Sequence, residues 1–183
     1  MEPRQTHPMP DHILVRPDAE SIARSACRWL MGKILVAIEE RGRCVVSLSG
    51  GSTPKRLYQL LAETDSSLVD WSRVVLIWGD ERCVPQDHPD SNFRMVREAW
   101  LDRWQEQRRI CPMAIPFQTA HESHESAAIY ERSLQALWSD AAHEEASPLV
   151  DVMLLGLGDD AHTASLFPHT SALQITDRWA VSN

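Results

Sequence analysis

Cys44-Val45-Val46-Ser47-Leu48-Ser49-Gly50-Gly51-Ser52-Thr53-Pro54 decides the fold. Its first five residues form a compact, largely β-branched run without polar alternation, the pattern of a strand covered on both faces in a parallel sheet. Two glycines break the run, and helical spacing resumes through Leu57, Tyr58, Leu60 and Leu61. Strand, glycine turn and helix together put the turn at the carboxyl edge of a sheet, where open α/β sheets bind ligands. The turn also has the chemistry of an anion site. Gly50 and Gly51 let backbone approach a ligand, Ser52 and Thr53 bring hydroxyls, and the free N–H groups and positive dipole end of the helix favour a phosphate. Pro54 suits a first helical turn, where its missing donor is not needed. A tight turn alone would account for the glycines and the proline, but not for the hydroxyls or for Lys55 and Arg56. Neither the Walker pattern nor G-x-G-x-x-G is matched, which disfavours ATP and NAD.

The same order recurs twice. Val74-Val75-Leu76-Ile77-Trp78 runs into Gly79-Asp80-Glu81-Arg82, a charged triplet directly after an apolar strand. Such charges belong either to a solvated loop or to a site, and parallel topology, which gathers strand ends, favours the site. There Arg82 would grip a phosphate or a developing oxyanion, and Asp80 would orient a sugar hydroxyl or a histidine. Val152-Met153-Leu154-Leu155 then reads as a buried parallel strand opening at Gly156 into Leu157-Gly158-Asp159-Asp160-Ala161-His162-Thr163-Ala164-Ser165-Leu166-Phe167-Pro168. His162 is the candidate general base, with Asp159 and Asp160 as its carboxylate neighbours. A lone histidine more often packs or caps a turn; the glycine-rich strand end and adjacent carboxylates reverse that preference.

Around these three segments, His12 to Val15 is expected as a first strand, and Asp18 as the cap of a long helix. Its stripe of Ala23, Cys27, Leu30, Ile34, Ala37 and Ile38 ends at Gly42. Asp90-Ser91-Asn92 offers cap chemistry for a helix carrying Phe93, Val96, Ala99 and Trp100; Asn92 is a candidate ligand contact, with capping or loop bracing equally open. The prolines at 112 and 116 make Cys111 to Phe117 an edge segment. His121 and His124 have no third ligand at metal spacing, so they mark a solvated helix start, continued by Ala127, Tyr130, Leu134 and Leu137. Ala141 to Pro148 is a linker, and Trp179 to Val181 looks like a strand beginning. The sum is an α/β chain: a Rossmann-like parallel sheet with helices on both faces, one domain over residues 11–183 behind a flexible tail of residues 1–10.

With 18 Lys and Arg against 26 Asp and Glu, a net charge of -8 leaves no electrostatic footprint for nucleic acid or an anionic membrane, so an anionic ligand must be held locally. No apolar run reaches membrane-spanning length. Cys27, Cys44, Cys83 and Cys111 are widely spaced, which argues for reduced, mostly buried thiols in a cytoplasmic protein and against a zinc site or disulfides. Oligomeric state is open, a homo-oligomer included.

Taken together, the runs from Leu48 to Pro54, from Trp78 to Pro85 with Ser91-Asn92, and from Leu155 to Pro168 resemble the 6-phosphogluconolactonase family, within the glucosamine/galactosamine-6-phosphate isomerase superfamily. Three ordered motifs across about residues 11 to 181 make the resemblance specific. It implies a Rossmann-like parallel α/β sandwich that hydrolyses 6-phosphoglucono-δ-lactone to 6-phosphogluconate in the oxidative pentose phosphate pathway, with neither a metal nor an organic cofactor. On that reading His162, Asp159, Asp160 and Arg82 carry the chemistry, and Ser49, Gly50, Gly51, Ser52, Thr53, Asp80 and Asn92 hold the substrate. Two departures stand out. Ala161 replaces the glycine usual in the family, at a cost on the order of 1 kcal/mol if the position needs positive φ. Members also normally continue for a further strand and helix that close the sheet and add basic contacts to the phosphate, so the C-terminal part of the fold is expected to be missing. The rival readings are an amino-sugar-phosphate deaminase or isomerase, disfavoured by Leu166 where that group has an acidic residue, and a catalytically impaired sugar-phosphate-binding homologue.

Overall fold

In the computed structural model the described residues are 13–139 and 149–183. The expected tail of residues 1–10, His12 and the expected linker of residues 141–148 lie outside them. Among the described residues four strands, β1 (Cys44–Leu48), β2 (Val74–Trp78), β3 (Met113–Ala114) and β4 (Val152–Met153), form one all-parallel sheet in the order β3-β2-β1-β4. The order reverses between β1 and β4, so the loops after these two strands flank a topological switch point.

Helices cover both faces. Helix α1 (Ala19–Arg41) begins where the Asp18 carboxylate accepts from Ser21 N at 2.7 Å and stops at Gly42. Helix α2 (Ser52–Glu63) follows the glycine turn. A third helical stretch begins with α3 (Asn92–Val96), widens through a π-helical turn (Arg97–Leu101) and ends in α4 (Asp102–Glu106). All of these pack against the face that carries Cys44, Val46, Leu48, Val74, Leu76 and Trp78. The alternate side chains Val45, Val75 and Ile77 point the other way, onto α5 (Ser123–Ser139) through Tyr130, Leu134 and Leu137. This period-two division of two fully buried strands is why Cys44–Leu48 and Val74–Trp78 read as near-continuous apolar runs, broken only by the buried Ser47. Trp71, Trp100 and Trp104 meet edge to face at centroid distances of 4.9–5.3 Å and fill the first core beside α2.

Three expectations fail. Ile13 to Val15 form no strand and are 63–80% exposed. Arg16 ties this segment to α1 instead, through Nε to Ser25 Oγ at 2.9 Å, and without a ladder partner an apolar run has no reason to stay extended in a sheet. The run beginning at Val152 is not buried on both faces either. Only Val152 and Met153 pair, and Met153 and Leu155 are more than half exposed, because among the described residues β4 has β1 as its one neighbour and is the outer strand. Trp179 to Val181 form no strand; Trp179 N donates to Glu131 on α5 at 2.9 Å and its ring meets Trp138 edge on, so the segment is held by the helix. Of the cysteines expected to be mostly buried, Cys27 and Cys44 are buried, Cys111 is half-buried and Cys83 is exposed.

Candidate active site

Three loops leave the carboxyl edge of the sheet, and a chain of contacts joins them. After β1, Gly50 lies so close to Asn92 that an added Cβ would overlap the Asn92 side-chain amide. Asn92 is buried, and its Nδ2 donates to Asp80 O at 3.1 Å. Asp80 Oδ2 in turn accepts from Ser165 Oγ at 2.9 Å, which reaches the loop after β4. One line of side chains therefore ties the glycine turn, the charged triplet and the histidine loop together.

Glu81 fixes the middle of that line. Its Oε1 accepts from Asn92 N and from Arg82 N, both at 2.7 Å, and its Oε2 accepts from Phe93 N at 2.9 Å and Ser91 Oγ at 3.1 Å. The carboxylate thus satisfies the first free N–H groups of α3 from eleven residues upstream, where the sequence offered Asp90 and Ser91 for the task. Ser91 does cap as well, accepting from Arg94 N. With Glu81 so engaged, the exposed Arg82 guanidinium has no hydrogen-bond or ion-pair partner among the described residues.

In the loop after β4 the Asp160 carboxylate lies 2.5 Å from His162 Nδ1 and also accepts from His162 N at 3.2 Å. These two bonds, the side-chain one first, hold the Asp160 carboxyl below the usual aspartate range. The imidazole folds back over Gly158, where a Cβ would overlap its ring, and lies against Phe167 at 4.6 Å between centroids. A carboxylate on Nδ1 fixes the proton there in the neutral ring and leaves the Nε2 lone pair available. Asp159 is exposed and makes no such contact. Ala161 has φ 67°, the left-handed conformation that the replaced glycine implied, and Ala164 at 51° and His169 at 67° share it.

At the glycine turn, Ser52 and Thr53 start α2, which no side chain caps, so the helix presents unfilled N–H groups next to two hydroxyls. Ser49 is buried, and its hydroxyl is turned to Gly50 O. A cavity of about 540 Å³ opens beside these loops on the α5 side, reached by Asp80, Arg82 and Ser165 and walled by Tyr130, Met153 and Trp179. His162, Asp160 and residues 49–53 do not line it. Sequence reasoning assigned no role to Glu81, although its position after an apolar strand singled it out, and none to Ser165, whose hydroxyl between Ala164 and Leu166 was the available signal. No group of three or more His, Cys, Asp or Glu side chains able to hold a metal is found among the described residues, and no described helix is long and apolar enough to cross a membrane.

The chain is similar to known proteins over most of its length. It is 43% identical over 173 residues to the 6-phosphogluconolactonase of Nostoc sp., covering 91% of this chain and 66% of that protein. With the 6-phosphogluconolactonase of Synechocystis sp. it shares 47% identity over 148 residues, 80% of this chain and 58% of the relative. The chain thus spans about two thirds or less of the length of these relatives. Among solved structures, the 6-phosphogluconolactonase of Trypanosoma brucei superposes with a TM-score of 0.74 at 29% identity, covering 91% of this chain and 67% of that one. That from Shewanella baltica gives 0.73 at 28%, covering 90% and 65%. Residues 17–183 match the family model described as glucosamine-6-phosphate isomerases/6-phosphogluconolactonase, and with the parallel sheet and joined loops above it follows that the chain belongs to this family.

Proposed function

We propose that the chain hydrolyses 6-phosphoglucono-δ-lactone to 6-phosphogluconate. The observation that carries the reading is the Asp160–His162 pair, which leaves Nε2 as the one ring nitrogen able to accept a proton. In the proposed reaction His162 Nε2 takes a proton from water as its oxygen bonds to the lactone carbonyl carbon. The tetrahedral oxyanion meets the Arg82 guanidinium, and when the carbonyl re-forms the ring C–O bond breaks and the proton passes to the departing ring oxygen. Asp160 keeps the imidazole in its tautomer and balances its transient positive charge. The 6-phosphate sits at the start of α2, on the backbone of Gly50 to Thr53 and the Ser52 and Thr53 hydroxyls, with Asp80 on a sugar hydroxyl. Asp159 has no side-chain partner among the described residues and is placed to meet the sugar, whereas Ser49 and Asn92 act by bracing the turn.

The names of the relatives support this substrate. So does Leu166, whose side chain cannot exchange the proton that amino-sugar isomerisation requires. Four free thiols fit a reducing, cytoplasmic setting. The test is proton release from freshly made lactone in a pH-stat, run beside ammonia release from glucosamine 6-phosphate. Lactone turnover above the spontaneous rate without ammonia is expected, and ammonia release would overturn the reading.

A further inference from the structure

The chain has two tyrosines, and both use their hydroxyls in the same way. On one edge of β1, β4 supplies its last ladder bond at Ser47, whose carbonyl accepts from Leu154 N at 2.9 Å. The next rung on that edge belongs to Ser49, and Tyr58 occupies it from α2: Ser49 N donates to Tyr58 Oη at 3.0 Å, and Oη donates to Ser49 O at 2.8 Å. On the outer edge of β2, the segment continuing β3 supplies its last bond at Leu76, whose carbonyl accepts from Ile115 N at 2.9 Å. The next rung belongs to Trp78, and Tyr130 occupies it from α5, accepting from Trp78 N at 2.7 Å and donating to Trp78 O at 3.0 Å. Phe117, where a further strand residue would stand, stacks on the Tyr130 ring at 3.6 Å between centroids.

Each hydroxyl therefore replaces a strand that has ended one rung too early, donating once and accepting once as a peptide group would. Both phenols are buried, so neither rung is shared with bulk water. The rungs fall at the last residue before each glycine that opens a site loop: Ser49 before Gly50, Trp78 before Gly79 and Asp80. We propose that Tyr58 and Tyr130 are positioning residues of the reaction, Tyr58 fixing the phosphate-binding turn and Tyr130 fixing the segment that carries Asp80 and Arg82. The division of labour rests on the lactonase reading; the rungs themselves do not.

The test compares Tyr58→Phe and Tyr130→Phe, which keep the rings and remove one oxygen each. Each substitution removes one donated and one accepted hydrogen bond, which together correspond to about a 10–100-fold effect. Tyr58→Phe should raise KM for the lactone by about that factor with kcat within ~2-fold, because the phosphate cradle loosens. Tyr130→Phe should lower kcat by about that factor with KM within ~2-fold. Equal losses in both parameters for both variants, as a general weakening of the fold would give, overturn the proposal, and so does no change in either. Amide hydrogen exchange reads the rungs without turnover. Exchange should quicken at Ser49 only in the first variant and at Trp78 only in the second, and unaltered exchange overturns the proposal even if the lactone is hydrolysed. If the chain hydrolyses no lactone, the lactonase reading fails and exchange alone decides. If a variant does not fold, the unsubstituted protein answers: Ser49 and Trp78 amides exchanging as slowly as those of β1 and β2 support the rungs, and exchange at loop rates refutes them.

Discussion

The turn after β1 and the loop after β4 stand side by side at the switch point, yet they are held by opposite means. Residues 49–53 inherit their position from the core: β1 is buried on both faces, Tyr58 closes its last rung, and Asn92 packs on Gly50. Residues 156–168 leave a strand two residues long, and apart from the tie of Ser165 to Asp80 they keep their shape largely through bonds among themselves, such as Gly158 N to His162 O at 2.9 Å and Asp160 to His162. Three non-glycine residues between 161 and 169 also have positive φ. The proposed phosphate cradle, built on packing, and the proposed base, built on local bonds, respond to different perturbations, and that difference makes the account testable.

Removing the imidazole should have the largest effect. His162→Ala should lower kcat for lactone hydrolysis about 10²–10⁴-fold, measured in the pH-stat, while circular dichroism and the melting temperature stay near those of the parent. Asp160→Asn should cost about 10–100-fold in kcat with KM little changed, because the ring loses its fixed tautomer but the cradle is untouched. In the other region the effect should fall on stability. Gly50→Ala drives a methyl into the Asn92 amide and should destabilise the protein by about 1–3 kcal/mol in urea titrations, with weaker binding of 6-phosphogluconate in calorimetry. Ala161→Gly should act in the opposite direction and by less, stabilising by roughly 0.5–1 kcal/mol as the left-handed conformation is relieved, partly offset by a freer unfolded chain.

Acid should produce the smallest and most local change. The folded Asp160 carboxyl lies below its ordinary value, so its bond to His162 contributes fully above the usual aspartate range and is lost as pH falls through the lowered value. Amide protection, corrected for the slowing of intrinsic exchange in acid, should therefore fall across residues 158–165 on acidification before it does at residues 49–53, whose hold depends on Tyr58 and Asn92. Simultaneous loss of protection in both regions would erase the distinction.

The sequence made the packed region legible and the locally held one only in part. Cys44–Leu48 and Val74–Trp78 are read correctly because burial on both faces leaves near-continuous apolar runs, with the buried Ser47 as the single polar residue in them. The helix starting after Asp18 is read to within a residue because the cap carboxylate and Gly42 are local signals. The positive φ at Ala161 was legible through the glycine it replaces. What failed depends on partners distant in sequence. Val152 to Leu155 and Ile13 to Val15 have the composition of strands, but pairing is decided by which edge is free, and that is not written in the run itself. The glutamate that caps α3, the serine that bridges to Asp80 and the two tyrosine rungs act across gaps of 9 to 85 residues, with no spacing rule to reveal them. At Asn92, where the sequence left ligand contact, capping and bracing open, the structure shows a buried contact with Asp80 and Gly50.

The central claim is that Asp160 holds the proton on Nδ1 of His162 and leaves Nε2 as the base. Nitrogen NMR of the imidazole in the neutral ring tests it directly. The account predicts a protonated Nδ1 and an unprotonated Nε2, an assignment that Asp160→Asn disturbs. A ring protonated at Nε2, unaffected by that substitution, would contradict it.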